Sequence, residues 1–353
     1  MAPPQHTSDD HVTGDVPPSR SLVVVAPVPA LRSQPSLPGL VQAETERADA
    51  YARAARAENT HRGYRADWTI FTAWCAGRGE SALPAGADVV RRFIGAEADR
   101  GRSPATIERR LAAIGHYHRL GGFVAPTDSP DAGPLRETMA GIRRARGGAV
   151  VRKQAADAAI LERLLATIAG DGVRARRDRA VLVIGMAAAL RRSELVALTM
   201  ADVALVPEGL RLTIRGSKTD QTGQGVTIAI PEGRRLAPKA RLLAWLEVVG
   251  HGGAGHDEEP LFRRLTRSDE PMATAMSDRA IARRVQGAAV RAGLDPRRFA
   301  GHSLRAGFLT ESAARGATIF KMQEVSRHKT VQILADYVRN AELFKDHAGT
   351  GFL

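Results

Sequence analysis

Six side chains in the second half of the sequence carry functional groups that suit the handling of a phosphate. They are two arginines, a lysine, two histidines and a tyrosine, at Arg191, Lys218, His302, Arg305, His328 and Tyr337. Guanidinium groups bind oxyanions in a forked geometry, a tyrosine hydroxyl is a possible nucleophile, and lysine and histidine can move protons. This set of types fits phosphoryl transfer that uses neither a metal nor a cofactor.

Taken singly, these residues also have structural explanations. Arg191 is expected at the end of a buried apolar helix, where a charge on the helix surface is common. Lys218 lies at a polar hairpin tip, where lysine often serves solubility alone. Tyr337 shares an apolar helix face with Val331 and Leu334, and such a tyrosine is more often part of the core. Only the combination of residues favours a site.

Short-range spacing adds local expectations around the two histidines. His302 and Arg305 are three residues apart and therefore share a helix face. Gly301 leaves room for the close approach of another backbone, and Thr330 is expected to cap the helix that carries Tyr337.

In order and spacing, the six residues resemble the signature of the tyrosine recombinase family, which comprises the phage integrases and the Cre and Xer recombinases. The signature is an arginine, a lysine on a hairpin, His-x-x-Arg, a second histidine, and a tyrosine nine residues after it. The resemblance extends from about Gln42 to Leu343. The family often has glycine where this chain has Ala189, and Leu-Gly where it has Ser326-Arg327, which bears on local turn geometry.

The resemblance implies a nucleophile and a charge clamp. Tyr337 would attack the phosphate, because an aryl hydroxyl with a pKa near ~10 is also a competent leaving group and keeps the bond reversible. Arg191 and Arg305 would hold the two non-bridging oxygens and bind more strongly as negative charge develops. Glu194, three residues after Arg191, would position that arginine.

The remaining side chains would transfer protons and donate hydrogen bonds. Lys218 would protonate the departing 5′ oxygen, and its position at a loop tip would let it reach the scissile bond. His302 would assist deprotonation of Tyr337, and His328 would donate a hydrogen bond to the phosphate.

The family resemblance also implies the reaction and the assembly. A 3′-phosphotyrosine link and a free 5′ hydroxyl would lead to two strand exchanges through a Holliday junction. A homotetramer would form on double-stranded DNA, with a dimer at each recombination site. Two alternatives stay open: a type IB topoisomerase, which nicks and reseals one strand, and a DNA-binding protein whose catalytic positions are idle.

Composition restricts the possible classes in the same direction. The 353-residue chain has a formal net charge of +13 and a pI of about 10.8, so a polyanion is the expected partner. The single cysteine, Cys75, excludes an internal disulfide framework and a cysteine-based metal cluster. Neither a signal peptide nor an apolar run of about 20 residues is present. We expect a bacterial, cytoplasmic, nucleoid-associated protein with no membrane contact, no cofactor and no metal.

The first half of the chain must form the scaffold of one domain. Residues 1–40 hold eight of the 19 prolines and no aromatic residue, which predicts a disordered tail. Helical periods follow in residues 41–146. The first two segments are a leading stretch over 42–57 and a helix capped at Asn59-Thr60, with Tyr64, Trp68, Phe71 and Trp74 on one core face. The third helix carries Val89, Val90, Phe93 and Ile94, and the fourth runs from Ser103-Pro104 to Gly121. The fifth carries Leu135, Met139 and Ile142. This pattern predicts a helical bundle that would be the DNA-binding, or core-binding, domain.

A basic linker over 147–156 precedes a catalytic domain over 157–353, whose C-terminal segment could dock on a neighbouring protomer. Asp157 should cap the first helix of that domain, and a buried helix should span Ala180–Leu190. Alternation over 210–214 and 226–230 predicts a two-stranded hairpin. Further helices are expected over 238–249, 277–292, 303–314, 318–326 and 330–340. The predicted class is mainly α, with a small antiparallel sheet in a mostly α catalytic domain, the tyrosine recombinase fold.

Overall fold

The computed structural model describes residues 38–54, 58–148, 153–215, 225–250, 256–343 and 349. The first five elements are helices: α1 (Pro38–Ala54), α2 (Glu58–Ala76), α3 (Ala87–Asp99), α4 (Pro104–Leu120) and α5 (Gly133–Arg146). The predicted tail lies outside the described residues as far as residue 37. Helix α2 already includes Asn59 and Thr60 in its first turn, so its start at Glu58 precedes the predicted cap.

Aromatic packing between α2 and α3 forms one side of the core of this helical part, which α4 and α5 complete. Phe71 and Phe93 are fully buried, with ring centroids 5.1 Å apart in an edge-to-face arrangement, and Trp74 packs on Phe93 at 5.4 Å. Tyr64 and Trp68 share the predicted helix face but are only half-buried. The core prediction is therefore correct for the C-terminal half of that face.

Helix α4 has the ends that its sequence predicts. Ser103 accepts a hydrogen bond from the Thr106 N–H at 3.3 Å, and Gly121 follows the last helical residue. His118 on this helix is fully buried. Its Nε2 accepts from the Ala85 N–H at 2.9 Å, so Nδ1 carries the proton and donates to the Ile114 carbonyl at 2.8 Å.

The second part combines eight α-helices and two short 3-10 helices, Met200–Asp202 and Pro296–Arg298, with two small sheets within the described residues. In chain order the α-helices and strands are α6 (Ala158–Ala166), α7 (Val173–Ala187), α8 (Arg192–Ala197), β1 (Val203–Val206), β2 (Gly209–Ile214), β3 (Val226–Pro231), α9 (Pro238–Val249), β4 (Arg263–Leu265), β5 (Pro271–Ala275), α10 (Asp278–Arg291), α11 (His302–Ala314), α12 (Ile319–Ser326) and α13 (Gln332–Ala341). The mainly α class with a small antiparallel sheet is confirmed. Within the described ranges, no helix is both long enough and apolar enough to cross a membrane.

The strands β2 and β3 form the predicted hairpin, with Leu212 opposite Ile228. The sequence prediction missed β1, which pairs antiparallel with β2 through Val203 opposite Leu212, and it missed the separate β4–β5 pair. Four apolar residues show no alternation, and a three-residue strand has no usable period, so only pairing with neighbours defines these elements.

Helix α7 lies at the centre of the larger core, where Val181, Leu182, Val183 and Ile184 are fully buried. It begins at Val173, well before the predicted Ala180, and its basic first turns include one buried arginine. Arg177 is 2 % exposed and donates to Asp178 Oδ1 at 2.7 Å, so a buried charge is paired rather than solvated.

The core of the second part is separate from that of the helical part, since the two buried clusters share no residue. Asp157 caps α6 as predicted, accepting from the Ile160 N–H at 2.9 Å. Just before it, the Gln154 N–H donates to the Arg298 carbonyl at 2.7 Å and the Ala156 N–H to the Ser303 carbonyl at 2.9 Å. The end of the predicted linker is thus bonded beside α11. The domain boundaries at 41–146, 147–156 and 157–353 stay predictions.

Gly307 lets α11 pack directly on this segment, which gives a stability prediction. A Cβ at Gly307 would overlap the carbonyl group of Ala156. That backbone cannot move aside easily, because the N–H groups of Gln154 and Ala156 are both hydrogen-bonded. We expect Gly307→Ala to lower the free energy of unfolding by about 3 kcal/mol. Gly287→Ala on α10 is the matched control: its nearest new neighbour is Arg291 Nη1 at 3.6 Å, so it should gain up to about 1 kcal/mol. Urea unfolding measures both changes, and equal stability of the two variants would contradict this packing.

Candidate active site

Arg191 stands in the tight connection between α7 and α8. Helix α7 ends at Ala187, so Arg191 is the residue before α8 and not, as predicted, the end of the apolar helix. Its backbone N–H donates to Glu194 Oε2 at 2.8 Å and its Nη1 donates to Oε1 of the same carboxylate. Glu194 is 4 % exposed, so the contact expected of it with Arg191 is made in a buried setting.

Arg305 on α11 is the most deeply buried charge in this region, with 1 % of its surface exposed. It donates from Nη1 to the Ala189 carbonyl and from Nη2 to the Ser326 carbonyl, and Nη2 lies 3.3 Å from the ring nitrogens of His328. One guanidinium therefore joins the turn after α7 to the turn after α12.

Both of these turns contain a non-glycine residue in the left-handed region. Ala189 has φ +47° and Arg327 has φ +56°, and these are two positions where the resemblance noted glycine. Such a conformation costs an L-residue roughly 1–2 kcal/mol. The carbonyls bonded to Arg305 belong to Ala189 itself and to the residue before Arg327, so the same contacts hold both strained turns in place.

His328 is half-buried after the second turn. Its Nδ1 lies 2.8 Å from Ser326 Oγ, and its carbonyl accepts from Gln323 Nε2 at 2.8 Å. Burial, followed by the charges of Arg305 and Arg191, lowers the pKa of His328 to about 4. The imidazole is therefore neutral near pH 7.

His302, the first residue of α11, lies between two cavities. One, of about 260 Å³, is lined by His302 together with Arg191, Arg192, Ser193 and Asp278. The other is a groove of about 670 Å³ between α11 and α13, lined by His302 and Tyr337 among others. Desolvation in this cleft, with the charges of Arg305, Arg191 and Arg192, lowers the pKa of His302.

Tyr337 is half-buried on α13, where its ring packs against a small apolar cluster that includes Leu309 and Leu334. The core interpretation of this residue is thus partly right, but the side chain also lines the groove beside His302. It lies close enough to Arg305 for the two groups to interact electrostatically. Helix α13 begins at Gln332, after Val331, so the expected Thr330 cap is wrong: α13 starts too late for Thr330 to reach it.

The expectations for Lys218 and Gly301 remain: the first lies outside the described residues, and the second is only partly right. Lys218 lies outside the described residues, in the connection between Ile214 of β2 and Val226 of β3. Gly301 does permit a close approach, but of a side chain and not of a backbone, because a Cβ there would overlap Cγ and Cδ of Arg192.

Sequence reasoning missed Arg327. Its Nη2 donates to Glu194 Oε2 at 2.8 Å, and it is 8 % exposed. Burial opposes ionisation of Glu194, yet Arg327 and the bonds from Arg191 outweigh it and hold the pKa of the carboxyl below its usual value. The available signal was an arginine where a glycine was expected.

The depressed histidine pKa gives a pH prediction. A histidine with a lower pKa in the folded than in the unfolded protein binds fewer protons when folded, so stability is lost as the pH falls from about 6.5 toward 4. His302 acts in the same direction. We expect His328→Asn to flatten this dependence by about 1–2 kcal/mol, measured by urea unfolding between pH 4 and 7. An unchanged slope in His328→Asn would contradict the assignment.

Two family models match this chain. Residues 156–343 match the phage integrase family, and residues 50–120 match the phage integrase N-terminal SAM-like domain. The chain therefore belongs to the phage integrase family.

Individual relatives specify the class further. An integrase/recombinase xerD homolog of Selenomonas ruminantium is 33% identical over 305 residues, covering 83% of this chain and 85% of that protein. Tyrosine recombinase XerC of Chromohalobacter salexigens is 30% identical over 252 residues, covering 71% of this chain and 74% of that protein. The protein is a tyrosine-type site-specific recombinase, in preference to the topoisomerase and idle-protein alternatives.

The fold is shared with solved structures at lower identity. The Tn1549 transposon integrase in complex with transposon right end DNA superposes with a TM-score of 0.56 at 17% identity, covering 84% of this chain and 96% of that one.

Proposed function

We propose that this recombinase cuts and rejoins double-stranded DNA through a 3′-phosphotyrosine bond to Tyr337, with strand exchange through a Holliday junction in a homotetramer, two protomers at each site. The observation that carries the proposal is the convergence of Arg191, Arg305 and His328 beside a cleft that His302 shares with Tyr337. These residues come from four separate stretches of chain.

The two arginines would form the clamp on the scissile phosphate. Glu194 holds Arg191 through Nη1, and the arginine lines the 260 Å³ cavity, where phosphate oxygens could accept from its other nitrogens. Burial and the neighbouring charge of Arg191 lower the pKa of Arg305 to about 9, so it stays charged at neutral pH. Like charges held close together favour binding of an anion.

The chemistry would be an in-line displacement. The Tyr337 oxygen would bond to phosphorus while the bond from phosphorus to the 5′ oxygen breaks. The tyrosine proton would pass to His302, whose lowered pKa leaves it neutral and able to accept. Lys218 would protonate the 5′ oxygen, and His328 would donate a hydrogen bond to the phosphate. Reversal of these steps with a partner strand's 5′ hydroxyl would reseal the DNA.

Both domains and the linker between them would contribute to DNA binding. Residues 41–146 would be the core-binding domain, 147–156 the linker and 157–353 the catalytic domain. The net charge of +13 supports a duplex as partner through phosphate contacts and counterion release. The site of action would be the bacterial cytoplasm, at the nucleoid.

A nicked suicide duplex tests this proposal. Sequencing DNA captured from a fragment library would identify the site. A nick shortly 3′ of the cleaved bond would let the short fragment that carries the new 5′ hydroxyl diffuse away. The wild-type protein should then accumulate an SDS-stable adduct on the 3′ phosphate, and with two intact duplexes it should exchange strands between them. No adduct on any captured site would overturn the proposal, and relaxation of supercoils by a monomer without exchange would favour a type IB topoisomerase.

A further inference from the structure

We propose that Arg327 is a positioning residue that neutralises Glu194, so that Arg191 keeps its positive charge available to the scissile phosphate. The inference rests on the proposed function, because it concerns how strongly the same clamp holds the phosphate. It concerns a residue that the six-residue signature does not include.

Glu194 is shared between two arginines. Its Oε2 accepts both the Arg191 backbone N–H and Arg327 Nη2, each at 2.8 Å, and its Oε1 accepts Arg191 Nη1. The side chains of Glu194 and Arg327 are 2 % and 6 % exposed, so water screens this pair very little. Arg327 Nη1 also donates to the Val325 carbonyl, which fixes the guanidinium in place.

The charge balance explains what Arg327 adds. Without it, Glu194 and Arg191 would form a neutral pair, and Arg305 alone would give the cluster a net charge of about +1. With Arg327 the four groups sum to about +2, which matches the two negative charges of a pentacoordinate phosphate transition state. The benefit would therefore be larger in the transition state than in the bound substrate.

The backbone conformation at residue 327 would suit glycine, which indicates that the arginine is present for its side-chain contacts and not for the turn. Arg327 has φ +56° and ψ +40°, a conformation that glycine adopts without strain. Its buried Nε has no hydrogen-bond partner among the described residues. A glycine would remove both disadvantages, so the ion pair with Glu194 is the compensating contact.

Three variants test the inference with the suicide duplex at saturating DNA. Arg327→Gly should form the covalent adduct about 10–100-fold more slowly, with little loss of thermal stability because strain is relieved. Arg327→Lys keeps the charge and should recover most of the rate. Adding Glu194→Gln to Arg327→Gly removes the uncompensated carboxylate charge and should make the double variant faster than Arg327→Gly alone.

Asp269→Gly is the matched control, since Asp269 is another charged residue at positive φ, φ +66°, and is ion-paired with Arg174 outside the cluster. It should cleave at the wild-type rate. A wild-type rate in Arg327→Gly, or no recovery on adding Glu194→Gln, would overturn the role of Arg327 while leaving the proposed function intact. Failure of the wild-type protein to form an adduct would instead count against the proposed function itself.

Discussion

A Tyr337→Phe variant is expected to bind the recombination site and to form no covalent complex with it. The substitution removes only the hydroxyl oxygen, and the ring can keep its packing against the cluster that contains Leu309 and Leu334. The fold and the arginine clamp should therefore persist. Without an oxygen nucleophile no bond to phosphorus can form, so adduct accumulation on the suicide duplex should fall below detection in SDS gels, while gel-shift affinity stays within a few-fold of wild type.

Tyr51→Phe is the matched control for this experiment, because Tyr51 is 77 % exposed on α1. It loses the same hydroxyl and should form the adduct at the wild-type rate. If Tyr337→Phe still became linked to DNA, another residue would be the nucleophile. If it also lost DNA binding, the hydroxyl would have a structural role that its half-buried position does not predict.

The second large effect is expected from Arg305→Lys, which keeps the charge but loses the planar fork. Arg305 uses one nitrogen on the Ala189 carbonyl and another on the Ser326 carbonyl, and a single ammonium group cannot hold both turns and also meet a phosphate oxygen. We expect adduct formation to slow by about 10²–10³-fold at saturating DNA, as for the loss of one transition-state donor. Single-turnover cleavage measures this change.

Arg315→Lys is the control, at the C-terminal end of the same helix. Arg315 follows the last residue of α11, is 65 % exposed and pairs with Glu311, so lysine should replace it with less than a two-fold change. A rate in Arg305→Lys within ten-fold of wild type would show that charge, and not guanidinium geometry, is what the clamp requires. Equal losses in both variants would indicate a general effect on folding.

The sequence alone determined features that depend on local chemistry. Ser103 and Asp157 cap their helices because a side-chain oxygen two or three residues before an N–H can reach it, whatever the rest of the fold. The alternation over β2 and β3 predicted their hairpin in the same way. The order and spacing of the signature residues were sufficient to indicate the family, and four of the six, Arg191, His302, Arg305 and His328, lie together in the structure.

Only the tertiary structure decided features that depend on groups distant in the chain. The strand β1 is defined by its pairing with β2, and the buried Arg177 donates from Nη1 to the carbonyl of Arg263, 86 residues further along the chain, at 3.3 Å. Arg327 and Glu194 are 133 residues apart, and although Arg327 stands where a glycine is expected, that departure does not identify Glu194 as its partner. A buried charge is stable only where the fold places a partner of opposite charge beside it. Tertiary packing determines that placement, and the periodicity of the sequence does not predict it.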